Sequence, residues 1–183
     1  MVVWLRSVIA VAGLALLVAP AAAETKKYPL DSKNTKIEFV GAKEDGTHTG
    51  GFEKLAGHLS VDGTDAATMQ IAVTIDINSM HSDDDKLTAH LKAPDFFDAK
   101  RFPEAKFVST AVKPSKEGYN VTGDLTMHGE THSVTFPAKV AVTPAGAELT
   151  AKFSIDRNKW GISYGKGKIK DAVDLSISLK TTK

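Results

Sequence analysis

Cysteine is absent from the chain. That excludes a disulfide scaffold, a thiolate nucleophile, a Cys-ligated zinc or iron–sulfur centre, and a lipoprotein anchor on an acylated Cys. Charge of one sign is missing too, since 23 Lys and Arg face 22 Asp and Glu. A phosphate backbone calls for a basic surplus, so nucleic acid is not an expected partner. No internal repeat, low-complexity tract or linker divides the sequence. Its 183 residues, 42% of them hydrophobic, suit one globular domain.

A long apolar run occurs only near the N-terminus. Residues 1–7 carry a single charge, Arg6, residues 8–18 are apolar side chains and Gly, and Ala21-Ala22-Ala23 follows. This is the pattern of a secretory signal peptide, which divides the chain into a signal, residues 1–23, and a domain, residues 24–183. The run is shorter than the about 20 residues that a membrane helix needs; a retained N-terminal anchor is the alternative reading. Cleavage after Ala23 leaves 22 basic and 22 acidic residues. The expected product is a neutral, exported domain with no stable membrane span, periplasmic or secreted.

The remainder is dominated by period two. Met69, Ile71, Val73, Ile75 and Ile77 alternate with Gln70, Ala72, Thr74 and Asp76, and Val173, Leu175, Ile177 and Leu179 alternate with Asp174, Ser176 and Ser178. One face of each strand is therefore aliphatic and the other mostly wet. Residues 35–43, 55–63, 104–113, 119–128, 133–143 and 147–156 repeat the pattern more weakly. Turn-forming residues separate them at Glu44-Asp45-Gly46, Lys116-Glu117-Gly118, His128-Gly129-Glu130 and Pro144-Ala145-Gly146. Eight strands joined mostly by short hairpins form an antiparallel meander. One segment departs from it: Ser82 reads as an N-cap, Asp83, Asp84 and Asp85 as first-turn acids, Leu87 and Leu91 as one face, and Pro94 as a stop. That predicts one short helix over residues 82–92.

One helix cannot cover eight half-apolar strands, so the sheet must cover itself. Sequential hairpins favour an up-and-down barrel, which also removes exposed edges. The expected fold class is all-β, an eight-stranded antiparallel barrel with the helix inserted. A barrel of this size is either filled by its own side chains or holds one small ligand, and the pattern fits both.

With these segments laid out, the chain resembles the YceI-like family of exported, lipocalin-like, polyisoprenoid-binding proteins. The resemblance begins at Tyr28-Pro29-Leu30-Asp31 and Ile37-Glu38-Phe39, and continues through Gly51-Phe52 and Leu55-Ala56-Gly57. Its sharpest piece is His90-Leu91-Lys92-Ala93-Pro94-Asp95-Phe96-Phe97-Asp98, leading through Phe102-Pro103 to Ala105-Lys106-Phe107 and Ser109. Gly123-Asp124-Leu125-Thr126-Met127-His128-Gly129, Phe153-Ser154-Ile155-Asp156-Arg157 and Trp160-Gly161-Ile162 complete it. The resemblance implies a lipocalin-like barrel whose interior holds a long-chain amphiphile: a polyisoprenoid lipid, an isoprenoid quinone or a fatty-acid amide. It implies no catalytic residues, no metal and no cofactor. Two departures stand out. The loop after Trp160-Gly161-Ile162 often has acidic character in the family but here carries Lys166, Lys168 and Lys170, and His132 stands where Lys or another polar residue is common.

The residues expected to line the interior are Ile37, Phe39, Ile71, Val73, Ile75, Phe107, Leu125, Phe136 and Phe153, with plain core packing as the alternative for each. Phe96, Phe97 and Phe102 would form a collar or a permanent plug at the mouth, with Phe96 the residue kept as a ligand contact, and His90 a structural hydrogen bond at the rim. Arg157, Lys166 and Lys168 are candidates for an anionic head group, or else members of a solvated basic loop. His128 and His132 flank a turn, without the helical spacing of a zinc site. No G-x-S-x-G marks a nucleophile. A non-catalytic carrier of a hydrophobic small molecule, a lipid-acting hydrolase or isomerase, and a filled, ligand-free barrel remain the three readings; a homodimer is left open.

Overall fold

The computed structural model describes residues 23–182. The expected signal segment lies outside the described residues, apart from Ala23. Eleven strands form one antiparallel sheet: β1 (Thr25–Asp31), β2 (Thr35–Lys43), β3 (Gly46–Phe52), β4 (Leu55–Asp62), β5 (Gln70–Asp76), β6 (Met80–Ser82), β7 (Glu104–Ser115), β8 (Gly118–Met127), β9 (Glu130–Thr143), β10 (Gly146–Asp156) and β11 (Ala172–Lys180). Their hydrogen-bonded order is β1-β4-β5-β7-β8-β9-β10-β11-β2-β3-β6. The ends of that order are joined by the chain itself. β3 continues through Glu53 and Lys54 into β4, and β5 continues through the short turn Ile77–Ser79 into β6. Glu53 N–H donates to Ser79 O and Asp76 N–H to Lys54 O, carrying the pairing across both bends. β1 and β2 form a third bent ribbon around residues 32–34. The sheet thus curls on itself as eight ribbons, three of them bent.

The eight expected strands were each a real strand, but β1, β3 and β6 were not anticipated. β3 reads Gly-Thr-His-Thr-Gly-Gly-Phe and has no aliphatic alternation, β1 carries Pro29 and three polar residues at its start, and β6 is three residues long. The helix α1 is also shorter than expected, Asp85–Leu91, because Asp84 rather than Ser82 caps it: Leu87 N–H donates to Asp84 Oδ1 at 2.7 Å. On β7 the pairing with β8 slips between Ser109 and Ala111. That bulge inverts the alternation that begins at Phe107 and turns Val112 into the core, where it is buried.

The interior has two unlike halves. Toward the β9–β10 hairpin and β1, Tyr28, Leu59, Val61, Met69, Val121 and Leu149 are buried and fill the ring. At the other end, Ile37, Phe39, Leu125, Ile155, Val173 and Leu175 point inward yet remain half-buried, because they face space rather than each other. Small residues let the wall curl: the Phe39 ring lies over Gly50 and the Phe107 ring over Gly123, sites where a Cβ would collide with those rings. Pairing between β9 and β10 stops at Ala138↔Ala151. Beyond that point side chains close the seam. Phe136 stacks on Phe153 with centroids 4.3 Å apart and rings 6° from parallel. The buried Trp160 follows, its Nε1–H donating to Leu125 O at 3.0 Å and its ring 5.3 Å from His132.

Candidate functional site

The open half encloses an apolar cavity of about 260 Å³. The wall supplies Ile37, Phe39, Phe52, Ile75, Ala105, Leu125, Met127, Ile155, Val173 and Leu175. Leu87, Leu91, Phe96 and Phe97, from α1 and the turn after it, cover the mouth, and Ile162 and Ile169 approach from the loop between β10 and β11. No Ser, Thr, Cys, Asp or Glu lies among these residues; the polar side chains are Lys43, His48 and Arg157. The outer face of β10, β11, β2 and β3 carries a larger groove, about 840 Å³, bounded by Glu38, Thr49, Lys152 and Asp174. That groove is the more open of the two and mixes polar with apolar surface, so the more enclosed, almost wholly apolar cavity is the candidate site.

The cover is fastened at both ends. Asp83, just before α1, is bonded to Thr49 twice: its N–H donates to Thr49 O at 2.9 Å, and its carboxylate accepts from Thr49 N–H at 2.9 Å and meets His48 Nδ1 at 2.9 Å. The Thr49 amide and then His48 hold the Asp83 carboxyl below its ordinary pKa. After α1, His90 Nε2 meets Asp95 Oδ2 at 2.8 Å, and that bond lowers the Asp95 pKa. The His90 ring also stands edge-on to Phe96 and to Tyr164, at 4.9 and 4.7 Å, while Phe96 and Tyr164 lie 4.9 Å apart. This aromatic cluster joins the helical cover to the lysine-rich loop.

That loop is organised from below by Arg157. Arg157 is 4% exposed, and its guanidinium donates to the carbonyls of Ile162 (2.7 Å), Tyr164 (2.8 Å), Lys170 (3.2 Å) and Ile169 (3.3 Å). Asp171 lies 3.8 Å away. Five donors in a rigid fork suit such a set of carbonyls, and four uncapped carbonyls would otherwise be stranded. Lys170 N–H donates to Ala42 O, stitching the loop to β2 beside Lys43.

The structure therefore separates the residues singled out in the sequence. Ile37, Phe39, Ile75, Phe96 and Leu125 line the cavity, together with Phe97. Ile71 and Val73 are buried in the wall beside the filled half, and Phe107, Phe136 and Phe153 form a mutual aromatic contact outside the lining. Arg157 reaches the cavity wall with its donors already engaged by backbone, while Lys166 and Lys168 are exposed and not part of the lining. Phe102 lies elsewhere, against His128 at 4.8 Å. His128 Nδ1 hydrogen-bonds the Trp160 main-chain O and His132 stands edge-on to the Trp160 ring, so the two histidines brace one tryptophan, by its backbone and its indole. Lys43, His48, Phe52, Ile162 and Ile169 were not foreseen as site residues. Phe52 ends a strand without alternation, and the others reach the mouth only through chain pairing across it. Among the described residues no helix is long and apolar enough to cross a membrane.

The geometry can be set beside known proteins. The UPF0312 protein of Pseudomonas fluorescens (strain SBW25) is 40% identical over 141 residues, 73% of each chain. Burkholderia cenocepacia BcnA superposes with a TM-score of 0.74 at 30% identity, covering 81% of this chain and 96% of that one. A polyisoprenoid binding domain from Saccharophagus degradans shares the fold at a TM-score of 0.67 and 14% identity, over 87% and 99% of the two chains. The YceI-like domain family matches residues 28–181. Its span takes in every strand from β2 to β11, the cavity and its cover, and on that ground the chain belongs to the YceI-like domain family.

Proposed function

We propose that this protein binds a hydrocarbon-tailed amphiphile in the enclosed cavity and sequesters or carries it without turnover, after export to the periplasm or secretion. The observation that carries the reading is the chemistry of the lining: an apolar enclosure whose polar side chains sit at one end. Burying a tail there is favourable by about 0.8 kcal/mol per methylene before ordering costs. Lys43 and His48, beside the lysine loop, are placed to meet a head group, a role that sequence spacing suggested for Arg157, Lys166 and Lys168. The candidate ligands are a polyisoprenoid lipid, an isoprenoid quinone or a fatty-acid amide. The polyisoprenoid binding named for the Saccharophagus degradans domain supports that class. A hydrolase or isomerase would need a nucleophile or an acid–base pair against the tail, and the lining offers no hydroxyl, thiol or carboxylate.

Native mass spectrometry of protein purified from its host, followed by organic extraction, tests this. A prenyl or acyl lipid recovered at near-stoichiometric amount is the expected result. Repeated recovery of bare protein, with no lipid taken up on incubation with a host lipid extract, rejects the carrier reading.

A further inference from the structure

We infer that Phe107, Phe136 and Phe153, which lie behind the cavity lining rather than in it, back its floor and set the length of tail that it accepts. The inference rests on the proposed binding role. Side chains two residues apart share a face, so the layer beneath the lining can be read from register. On the inward face Phe107 follows Ala105 on β7 and stands opposite Leu125, Gly123 follows Leu125 on β8, and Phe153 follows Ile155 on β10 and stands opposite Leu175. Gly123 leaves room that the Phe107 ring occupies, its Cζ 2.5 Å from where a Cβ would stand. Leaning across β8, Phe107 reaches Phe136 of β9, with centroids 5.8 Å apart, and Phe136 stacks on Phe153 at 4.3 Å.

The three rings therefore run from β7 across β8 and β9 to β10, four of the eight ribbons, and bridge the seam where backbone pairing has ceased. On their far side Val121 and Leu149 are buried and the interior is full. Phe107 and Phe153 are themselves half-buried and pair with two residues of the cavity wall, Leu125 and Leu175, so trimming a ring loosens the packing beside the cavity; Phe153 also borders the outer groove. The cavity above them, about 260 Å³, is just below the roughly 300–1,000 Å³ of typical ligand pockets. The ligand class that fits is an amphiphile with a single, short alkyl or prenyl tail.

A chain-length series decides this. Straight-chain alcohols from octanol to eicosanol would be titrated against a bound fluorescent probe, using the whole exported domain and its Phe153→Ala and Phe153→Leu variants. Thermal melting confirms that each variant is folded, and Phe153→Leu is the milder substitution should Phe153→Ala fail. In the unmodified protein, affinity should rise by up to about fourfold per methylene and then level off at one length. The levelling point should move to longer alcohols in Phe153→Leu and further in Phe153→Ala. Undiminished gains through eicosanol in the unmodified protein, or the same limit in folded variants, would overturn the floor while leaving tail binding intact. Failure of every alcohol to displace or be bound would reject the binding role together with the floor.

Discussion

Gly50 shows how much one hydrogen decides. Its Cβ, if present, would fall on Phe39 Cζ and on the His81 carbonyl oxygen, the first a side chain of the cavity wall and the second backbone of β6. Gly41, two ladder steps along the same pair of strands, has nothing within 4 Å of the corresponding point. Gly50→Ala should therefore cost about 1–3 kcal/mol through overpacking, whereas Gly41→Ala should be neutral or slightly stabilising. Urea denaturation of the two variants checks the contrast, and equal losses would refute the packing account. Arg157 makes the complementary point. Its place in a basic stretch suggested a free cation, but four backbone carbonyls claim it, and backbone partners leave no trace in side-chain spacing.

The cover shows an element held by few, local bonds. Four consecutive residues, Ser82 to Asp85, can each cap a helix, so the sequence could locate the start of α1 only within a turn; tertiary pairing chose. Asp83 is committed to Thr49 and His48 of the barrel rim, which leaves Asp84 as the cap. The Asp83 and Asp95 carboxyls have depressed pKa values in the folded protein, from the Thr49 amide first in one and from His90 first in the other. A depressed folded value means that the stabilisation is complete above the ordinary carboxylate value of 3.8. It is lost as pH falls through the lower folded values. The fastening of the cover should accordingly be insensitive to carboxylate titration at neutral pH and loosen only below about 4. The Thr49 amide resonance, followed by NMR on acidification, should shift in that range and show no such step in Asp83→Asn. A step that persists in the variant would assign the titration elsewhere.

Across the whole molecule, one interior is divided into a packed half and a hollow half, and stability should follow the division. Leu59 is 0% exposed in the packed half, so Leu59→Ala should lose about 2–5 kcal/mol. Leu125 borders the cavity and is only half-buried. Its truncation enlarges an existing space and should cost clearly less than that of Leu59, while weakening tail binding. Chemical denaturation beside probe displacement separates the two effects. Comparable stability losses at both sites would mean that the hollow half is as tightly packed as the other.

The alternation of Met69 through Ile77 and of Val173 through Leu179 was enough to define an all-β chain with one apolar face, because side-chain direction along a strand is a local property of the backbone. Turn residues at Asp45-Gly46, Gly118, Gly129 and Gly146 likewise placed the hairpins. The same rule failed at the bulge between Ser109 and Ala111, where pairing inserts a residue, and in Gly46–Phe52, which is a strand only because β2 and β6 pair with it. Inward direction does not distinguish a side chain that meets another from one that meets a void. Leu125 and Phe136 carry the same signal on neighbouring strands, yet one lines the cavity and the other helps to close it. That difference arises from how far opposite walls stand from one another, a quantity set by strand bends, Gly positions and the Trp160 plug rather than by any local pattern.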